Sequence, residues 1–399
     1  MKIFAQHGYG DATAKKTLTA IQKNFIDGVI FSPRDIKDEV LDEVKEHFLS
    51  ADKIFLFDPQ VYVSTYPIEQ DWRLKNLRNY PYFCQHDEKE FSRERNIEAC
   101  INEVIDYEEG KGFTTLLSPN IFVKSSFDST SAGKATNFIA IAGEVWQQRK
   151  HEKQQLFATL AVSIEALDSL LEIKKFISEI LNQEPKVSGI YIVVNFNCKT
   201  GEDVFFSARQ LTNLLYLIYV LQNAEFNVII GYADIYIPLF AMIGAYGGAT
   251  GLFSSQKRFS LSTFQPTLRK GGGKRAHRYL SSKIQLRLKI TELNILRSFF
   301  SDAEVMNGFP QTDILYSKDS PELEDPANES LQTWETLQYL SNQFSTNDIA
   351  SNISNMSSRL DNSIALIKKY NQRLEDPINF SILENMKQAI INLKELVEL

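Results

Sequence analysis

Residues 188–196 read SGIYIVVNF and residues 207–224 read SARQLTNLLYLIYVLQNA. The fold is inferred from the pattern of these two stretches, a strand followed by a helix. The first is short and rich in β-branched residues, which is typical of a parallel strand buried on both faces. The second has apolar residues at helical spacing and begins at a serine suited to cap a helix. NVIIGYAD at 227–234 reads as another strand, so the chain makes a strand–helix–strand unit here.

The same alternation continues in both directions along the chain. The other strand-like runs are KIFAQHG at 2–8, DGVIFSP at 27–33, KIFLFDP at 53–59, FTTLLSP or NIFVKSS within 113–126, QLFATLAVS at 155–163 and ATGLFSS at 249–255. Strands that alternate with helices form right-handed units around a parallel sheet. Eight such units within roughly 260 residues predict a (β/α)₈ barrel, with a doubly wound open sheet as the alternative.

The C-terminal part of the chain has a different organisation. We predict a barrel over 1–262, a basic glycine-rich loop with a following helix over 263–316, and an acidic linker over 317–330. Residues 331–399 consist mostly of helix formers, and their apolar spacings of three and four predict a helical appendage. We expect this appendage to pack on the barrel, to pair with a second copy or to dock a protein partner.

Composition narrows the class of protein. No run of 18 apolar residues occurs and the start has no signal-peptide pattern, so neither a membrane span nor secretion is expected. The three cysteines lie far apart, which fits a reducing compartment and disfavours a zinc site. We therefore expect a cytoplasmic protein. No cofactor motif is evident, and Mg²⁺ held through water by carboxylates at strand ends stays open.

Positive charge is concentrated in one segment. Residues 257–291 contain ten Lys and Arg and no Asp or Glu, although the whole chain has a net charge of −7. The segment includes LRKGGGKRAHR at 268–278, whose glycines would let backbone N–H groups approach an anion. A solvated flexible loop is the alternative. We predict that a nucleic acid or phosphorylated substrate contacts Lys257, Arg258, Arg269, Lys270, Lys274, Arg275 and Arg278.

Catalytic groups of a barrel lie where its strands end. Asp58 follows the apolar run KIFLF and precedes a proline, so its pKa is expected to be raised for acid–base or nucleophilic work. A carboxylate that only caps a turn is the alternative. His7 is a candidate general base or a buried structural histidine. Asp234 and Glu165 are further catalytic candidates.

Other polar residues at strand ends are candidates for substrate binding. Arg34 would hold a carboxylate or phosphate, or pair with the neighbouring Asp35. Phe259, Phe264 and Tyr279 lie among the cations of the basic segment and would permit base stacking. The complete set of predicted substrate-binding residues is Arg34, Gln60, Tyr62, Asn195, Asn197, Ser254 and Ser255.

FDPQVY at 57–62 and GYADIY at 231–236 give the chain a resemblance to the tRNA-guanine transglycosylases. Those enzymes are (β/α)₈ barrels that exchange a base on a nucleic acid. Their third-strand aspartate lies in an Asp-Ser-Gly-Gly-Phe-Gln motif, and a second aspartate on a later strand is the nucleophile. The resemblance implies these roles for Asp58 and Asp234, with Gln60 nearby. This chain lacks the glycines of the motif and the family's zinc cluster.

Three functions fit these observations. The first is a barrel that binds or acts on a nucleic acid or nucleotide, with chemistry at a glycosidic bond. The second is a non-catalytic barrel subunit of a nucleic-acid-processing or defence assembly, docked through its C-terminal helices. The third is a metabolic enzyme that acts on a small phosphate ester. Binding one phosphate needs fewer than the ten cations of this segment, which disfavours this function.

Overall fold

The computed structural model describes residues 1–8, 15–49, 53–149, 154–197, 204–266, 277–316, 326–344 and 348–398. Its nine-stranded sheet is parallel throughout. The strands are β1 (Lys2–His7), β2 (Gly28–Phe31), β3 (Ile54–Phe57), β4 (Thr115–Ser118), β5 (Phe122–Val123), β6 (Gln155–Ser163), β7 (Gly189–Asn195), β8 (Asn227–Ile230) and β9 (Gly247–Thr250).

The strand order confirms the predicted barrel. Neighbouring strands follow the order β3-β2-β1-β9-β8-β7-β6-β4, and β5 also pairs with β6. The segments β4 and β5 form one course that is interrupted at Pro119 and Asn120, so the sheet has eight courses. β3 and β4 pack side by side without a hydrogen-bonded ladder. The barrel is therefore nearly closed, and the doubly wound open sheet is excluded.

Helices surround the sheet in the alternation that the sequence predicts. The helices that follow the first seven courses are α1 (Lys15–Gln22), α2 (Asp38–Leu49), α3 (Glu94–Gly110, after β3), α4 (Thr130–Arg149), α5 (Leu170–Leu181), α6 (Ala208–Asn223) and α7 (Ile237–Met242). Every residue of β2, β4, β7 and β9 is buried, because their inner faces fill the barrel and their outer faces meet helices.

Phe4 shows why glycines occupy the starts of neighbouring strands. A Cβ atom at Gly28 would lie 2.8 Å from the Phe4 ring and 2.1 Å from the carbonyl oxygen of Ile54. A Cβ atom at Gly247 would lie 2.4 Å from the same ring. The two glycines therefore leave the space that the aromatic ring fills at the lower end of the barrel.

The polypeptide after the last barrel strand contains a β-hairpin that the sequence analysis missed. It passes through α8 (Ser254–Lys257) to the antiparallel pair β10 (Arg278–Ser281) and β11 (Leu286–Lys289), then to α9 (Ile290–Phe299) and α10 (Asp302–Val305). The predicted last strand was also misplaced, because the structure has it at 247–250 and not at 249–255.

The structure confirms the predicted C-terminal helices. The described residues of this region form α11 (Pro326–Ser341), α12 (Ile349–Asn371) and α13 (Ser381–Val397). α11 packs against α1, α7 and β1, which is the position of the eighth helix in a (β/α)₈ barrel. Trp334 of α11 donates a hydrogen bond to the carbonyl of Thr250, at 3.2 Å. α12 and α13 pack on each other and cover α7 and α6.

Candidate functional site at the mouth of the barrel

Asp58 lies directly after β3, and its side chain is fully buried. Its carboxyl group accepts hydrogen bonds from the hydroxyl of Tyr62 at 2.8 Å, the hydroxyl of Tyr191 at 3.3 Å and the backbone N–H of Gln60 at 3.2 Å. Burial raises the pKa of Asp58 to about 7, against the opposing effect of these hydrogen bonds. A carboxyl group with this pKa exchanges its proton near neutral pH.

Tyr191 reaches Asp58 from inside β7, on the opposite side of the barrel. Its hydroxyl occupies the space above Gly231, where an added Cβ atom would lie only 2.5 Å from the tyrosine oxygen. The absence of a side chain at Gly231 therefore allows the contact between Tyr191 and Asp58. The sequence analysis missed Tyr191, because a tyrosine within a run of apolar strand residues reads as an ordinary core residue.

Gln60 connects this buried cluster to the open end of the barrel. Its backbone has a positive φ of 55°, a conformation that non-glycine residues seldom adopt. Its amide nitrogen donates to the hydroxyl of Ser32 at 3.0 Å. Tyr232 and Asp234, which follow β8, also have positive φ values, of 54° and 45°. Strained backbone of this kind is concentrated at functional sites in proteins.

A small, partly open cavity of about 20 Å³ lies at the mouth of the barrel. Gln6, His7, Ser32, Arg34, Gln60 and Tyr232 contribute to its lining, with Phe259 and Phe264. Gln6 and Gln60 are almost fully buried, at 3% and 2% exposure. The amide of Gln6 lies close to the Tyr191 hydroxyl, yet neither of its polar atoms makes a hydrogen bond of normal geometry.

Two further buried polar atoms at the cavity also lack such a hydrogen bond: Oε1 of Gln60 and Nε of Arg34. Buried polar groups in folded proteins are almost always paired, since an unpaired group costs roughly 1–3 kcal/mol. Three residues that line one cavity carry such atoms, and a water molecule or a polar ligand in the cavity would pair with them.

The other two nitrogens of the Arg34 guanidinium group have partners that hold the side chain in place. It pairs with Asp35 at 3.2 Å and donates to the carbonyl of Thr263 at 2.9 Å, so the predicted pairing with Asp35 is present. It also stacks on Phe264, 4.9 Å from the ring centroid. Asp35 pairs in addition with Lys75 at 2.6 Å. The one carboxylate that lines the cavity, among described residues, is thus neutralised by two cations.

Asn195, at the end of β7, builds one wall of the cavity. Its side-chain oxygen accepts the backbone N–H of Leu261 at 2.9 Å, and Phe259 forms an isolated bridge to the strand at this residue. These bonds place the rings of Phe259 and Phe264 over the barrel mouth. Asn195 therefore positions the wall through its hydrogen bonds and does not itself line the cavity.

His7 lines the cavity, but it also has partners inside the protein. Its Nδ1 lies 3.4 Å from the hydroxyl of Thr17, and its ring packs edge-on against Phe31. Tyr62 lies beneath the cavity, where it donates to Asp58. The structure thus brings His7, Arg34, Gln60, Tyr62 and Asp58 to the same end of the barrel.

Asp234 has a different environment from Asp58. Burial raises its pKa, but the guanidinium of Arg287 overrides this effect and holds the pKa below its usual value. Arg287 of β11 makes a bidentate pair with it, at 2.7 and 2.8 Å, and Thr250 donates to it at 2.9 Å. Asp234 does not line the cavity, and this pairing joins the β-hairpin to the barrel.

The remaining strand-end candidates lie apart from Asp58. Glu165 is exposed and accepts a hydrogen bond from Ser163 at 2.6 Å. Asn197 and Ser254 are exposed and do not line the cavity, whereas the exposed Ser255 does. The backbone N–H of Asn197 donates to the side-chain oxygen of Asn195 at 3.3 Å, and among the described residues no further contact ties Glu165, Asn197 or Ser254 to the cavity.

The predicted phosphate-binding cations are only partly within the described residues. Lys257 pairs with the buried Glu329 of α11 at 3.2 Å, and Arg258 donates to the carbonyl of Val204 at 2.7 Å. Arg278 is exposed at the start of β10. The other four, Arg269, Lys270, Lys274 and Arg275, lie outside the described residues.

Metal and membrane binding can be examined over the described ranges. Within them, no group of three or more His, Cys, Asp or Glu side chains is arranged to hold a metal ion. No helix of that part of the chain is both long enough and apolar enough to cross a membrane.

No protein-family model matches the chain, and no curated protein sequence does. Similar solved structures include 3-hexulose-6-phosphate synthase, at 12% identity and a TM-score of 0.34, over 66% of this chain and 98% of that one. A broad-specificity GH5-4 endoglucanase from an uncultured bacterium has 11% identity and a TM-score of 0.40, over 66% and 92%. Saccharomyces cerevisiae Gas2p with laminaripentaose has 11% identity and a TM-score of 0.28, over 63% and 56%. Likenesses at this level carry no argument, so the fold rests on the strand order.

Proposed function

We propose that this (β/α)₈ barrel binds a nucleotide or a nucleic acid, with one base held in the cavity at the barrel mouth. The observation that carries the proposal is the set of buried polar atoms on Gln6, Gln60 and Arg34 that make no hydrogen bond of normal geometry, although Gln6 and Gln60 lie close to the hydroxyls of Tyr191 and Tyr232. Side-chain amides donate and accept together, as the edges of nucleobases do. A planar polar ring would pair with both kinds of group at once.

The aromatic residues of the cavity support the same proposal. Phe259, Phe264 and Tyr232 line it, and the guanidinium of Arg34 stacks on Phe264. Bases stack on aromatic rings and on arginine planes, and each such contact contributes about 1–3 kcal/mol. The cavity has room for about one water molecule as it stands, so a base that binds there would have to displace the rings of Phe259 and Phe264 at its wall.

The charge of residues 257–291 extends the proposal from the base to its phosphates. Ten cations without a carboxylate follow the last barrel strand, where barrels often bind phosphate. Lys257 is already paired with Glu329, so we assign the phosphate contacts to Arg278 and the segment that precedes it.

Binding of single-stranded oligonucleotides and mononucleotides at several salt concentrations tests this function. We expect saturable binding that weakens with salt, because phosphate contacts release counterions. Gln60→Leu should abolish binding through the base, whereas Ser254→Ala, outside the cavity, should leave it unchanged. Absence of binding to every nucleotide and oligonucleotide, or equal binding by Gln60→Leu, would contradict the proposal.

A second candidate is chemistry at a glycosidic bond, and the observation that favours it is the raised pKa of Asp58, about 7. A carboxyl group of this pKa suits proton transfer to a departing base. Asp58 lies behind Gln60 and the tyrosines, so the proton would pass through this layer. Release of free base from a nucleic acid by the intact protein, lost in Asp58→Asn, would support this candidate. Binding without release would support the non-catalytic alternative, in which residues 331–399 dock a protein partner.

A further inference from the structure

A cluster of three side chains outside the barrel mouth brings a nucleophile, a base and a carboxylate together. The Sγ atom of Cys84 lies 3.0 Å from Nε2 and 3.9 Å from Nδ1 of His86, and this Nδ1 lies 2.9 Å from Oε2 of Glu90. The three residues lie in the segment between β3 and α3, and none of them lines the cavity at the barrel mouth. A thiol, an imidazole and a carboxylate in this order are the parts of a nucleophilic triad.

The carboxylate of Glu90 is fixed by the backbone next to it. Its Oε1 accepts the N–H of Asp87 at 3.1 Å, while its Oε2 faces His86. The tautomer with the proton on Nδ1 donates a hydrogen bond to this carboxylate, and its Nε2 accepts the proton of Cys84 once the exposed thiol turns toward the Nε2 lone pair. The imidazole also packs on the ring of Phe91, at 4.8 Å between centroids. These contacts orient the base before any substrate arrives.

A groove of about 320 Å³ opens beside the thiol. Cys84 is exposed in it, and Asn79 and Gln85 also line it. Arg78 lines the groove as well and pairs with Asp71 at 3.1 Å. An electrophile can therefore reach the sulfur.

The negative charges near Cys84 disfavour the thiolate, so the thiol needs a base to become a nucleophile. Burial raises the pKa of the thiol, and the neighbouring carboxylates of Glu103 and Glu90 raise it further. The other thiol nearby, Cys100, is buried and protonated, because burial raises its pKa to about 12. Cys84 is therefore a thiol at neutral pH, and its proton must leave during the attack.

We propose that Cys84 is the nucleophile of a second site, where an acyl group is transferred to its sulfur with His86 as the base. In this step the Sγ–C bond to the carbonyl carbon forms, and the bond from that carbon to the leaving group breaks. The thiol proton passes to Nε2 of His86 and from there to the leaving group. The product is a thioester on Cys84, and no oxidant or reductant is needed. This site is independent of the function proposed for the barrel mouth.

Acylation of the full-length protein by p-nitrophenyl acetate tests the proposal. We expect release of one equivalent of p-nitrophenol per chain and one acetyl group on Cys84, located by peptide mass spectrometry. Cys84→Ala should abolish this burst. His86→Gln should slow it by about 10²-fold, because general base catalysis is lost. The rate of acylation in His86→Gln should rise only in alkaline solution, where the thiol ionises without a base. The rate in the wild type should already be high at neutral pH.

Two further variants keep the test decisive if His86→Gln fails to fold. Glu90→Gln retains an oxygen for the N–H of Asp87 but presents an amide to the imidazole, and should also slow acylation. Glu103→Gln is the matched control: it removes a carboxylate that faces the thiol without contacting His86, and should not slow the reaction. Acylation of wild-type Cys84 no faster than that of the unfolded chain, or an equal rate in Glu90→Gln, would overturn the proposal.

Discussion

The hydroxyl of Tyr191 lies 3.3 Å from the carboxyl group of Asp58, although the two residues come from strands on opposite sides of the barrel. The contact crosses the interior and ties β7 to the end of β3. Tyr62 donates to the same carboxyl oxygen at 2.8 Å. One buried carboxyl group and two tyrosines thus form a hydrogen-bonded cluster beneath the mouth of the barrel.

Gly231→Ala should displace Tyr191, because the new Cβ atom would lie 2.5 Å from its hydroxyl oxygen. We expect a loss of roughly 1–3 kcal/mol in the free energy of unfolding, as for other overpacked cores. Gly133→Ala is the matched control. It lies in α4 with no atom within 4 Å of the new Cβ, and should stabilise the helix slightly. Chemical denaturation of both variants measures the difference, and equal stabilities would contradict the described packing.

Asp58 should make the stability of the protein depend on pH. Its pKa rises from 3.8 in the unfolded chain to about 7 in the fold, mainly through burial. Folding therefore takes up a proton between these values. The stability contributed is complete below the unfolded pKa and is lost as the pH rises through about 7. Between about pH 5 and pH 8 we expect the wild type to lose roughly 2–3 kcal/mol more than Asp58→Asn. If the free energy of unfolding of the two proteins changed with pH in the same way, the raised pKa of Asp58 would be contradicted.

Tyr62→Phe should raise the pKa of Asp58 above about 7, because it removes a hydrogen bond to the charged carboxylate. Tyr191→Phe should act in the same direction but less strongly, since its hydroxyl lies farther away, at 3.3 Å against 2.8 Å. Infrared titration of the carboxyl group in the two variants and the wild type gives the order. A lower pKa in Tyr62→Phe would show that its hydroxyl does not donate to Asp58.

How far the sequence predicts this molecule depends on the range of the interactions involved. The β-branched run of β7 and the capped helix after it are local signals, and the barrel follows from their repetition. The strand end at Asp58 was found in the same way. Tyr191 and Gly231 could not be found, because their importance comes from a contact across the barrel. Arg287 was counted only as one of the ten cations of residues 257–291, whereas its pairing with Asp234 shows a structural role that only the fold brings about.

Arg287→Met should destabilise the protein by about 3–5 kcal/mol, because it leaves the carboxylate of Asp234 buried and unpaired. Adding Asp234→Asn in the same chain should restore part of the loss. Arg209→Met removes the exposed pair with Asp168 and should cost at most about 1 kcal/mol. Thermal unfolding of the four proteins provides the comparison. A loss of no more than about 1 kcal/mol in Arg287→Met, as for the exposed pair, would contradict the structural role of this ion pair.

The most direct test of the central claim is calorimetric titration of the protein with nucleobases, nucleosides and nucleotides, in the wild type and in Gln6→Leu. The buried amide of Gln6 lacks a hydrogen bond of normal geometry, so replacing it by leucine should leave the stability equal or higher. We predict that at least one ligand binds the wild type saturably, and that Gln6→Leu loses this binding while it remains folded. If no such ligand binds, or if Gln6→Leu binds as tightly as the wild type, the cavity is not a base-binding site.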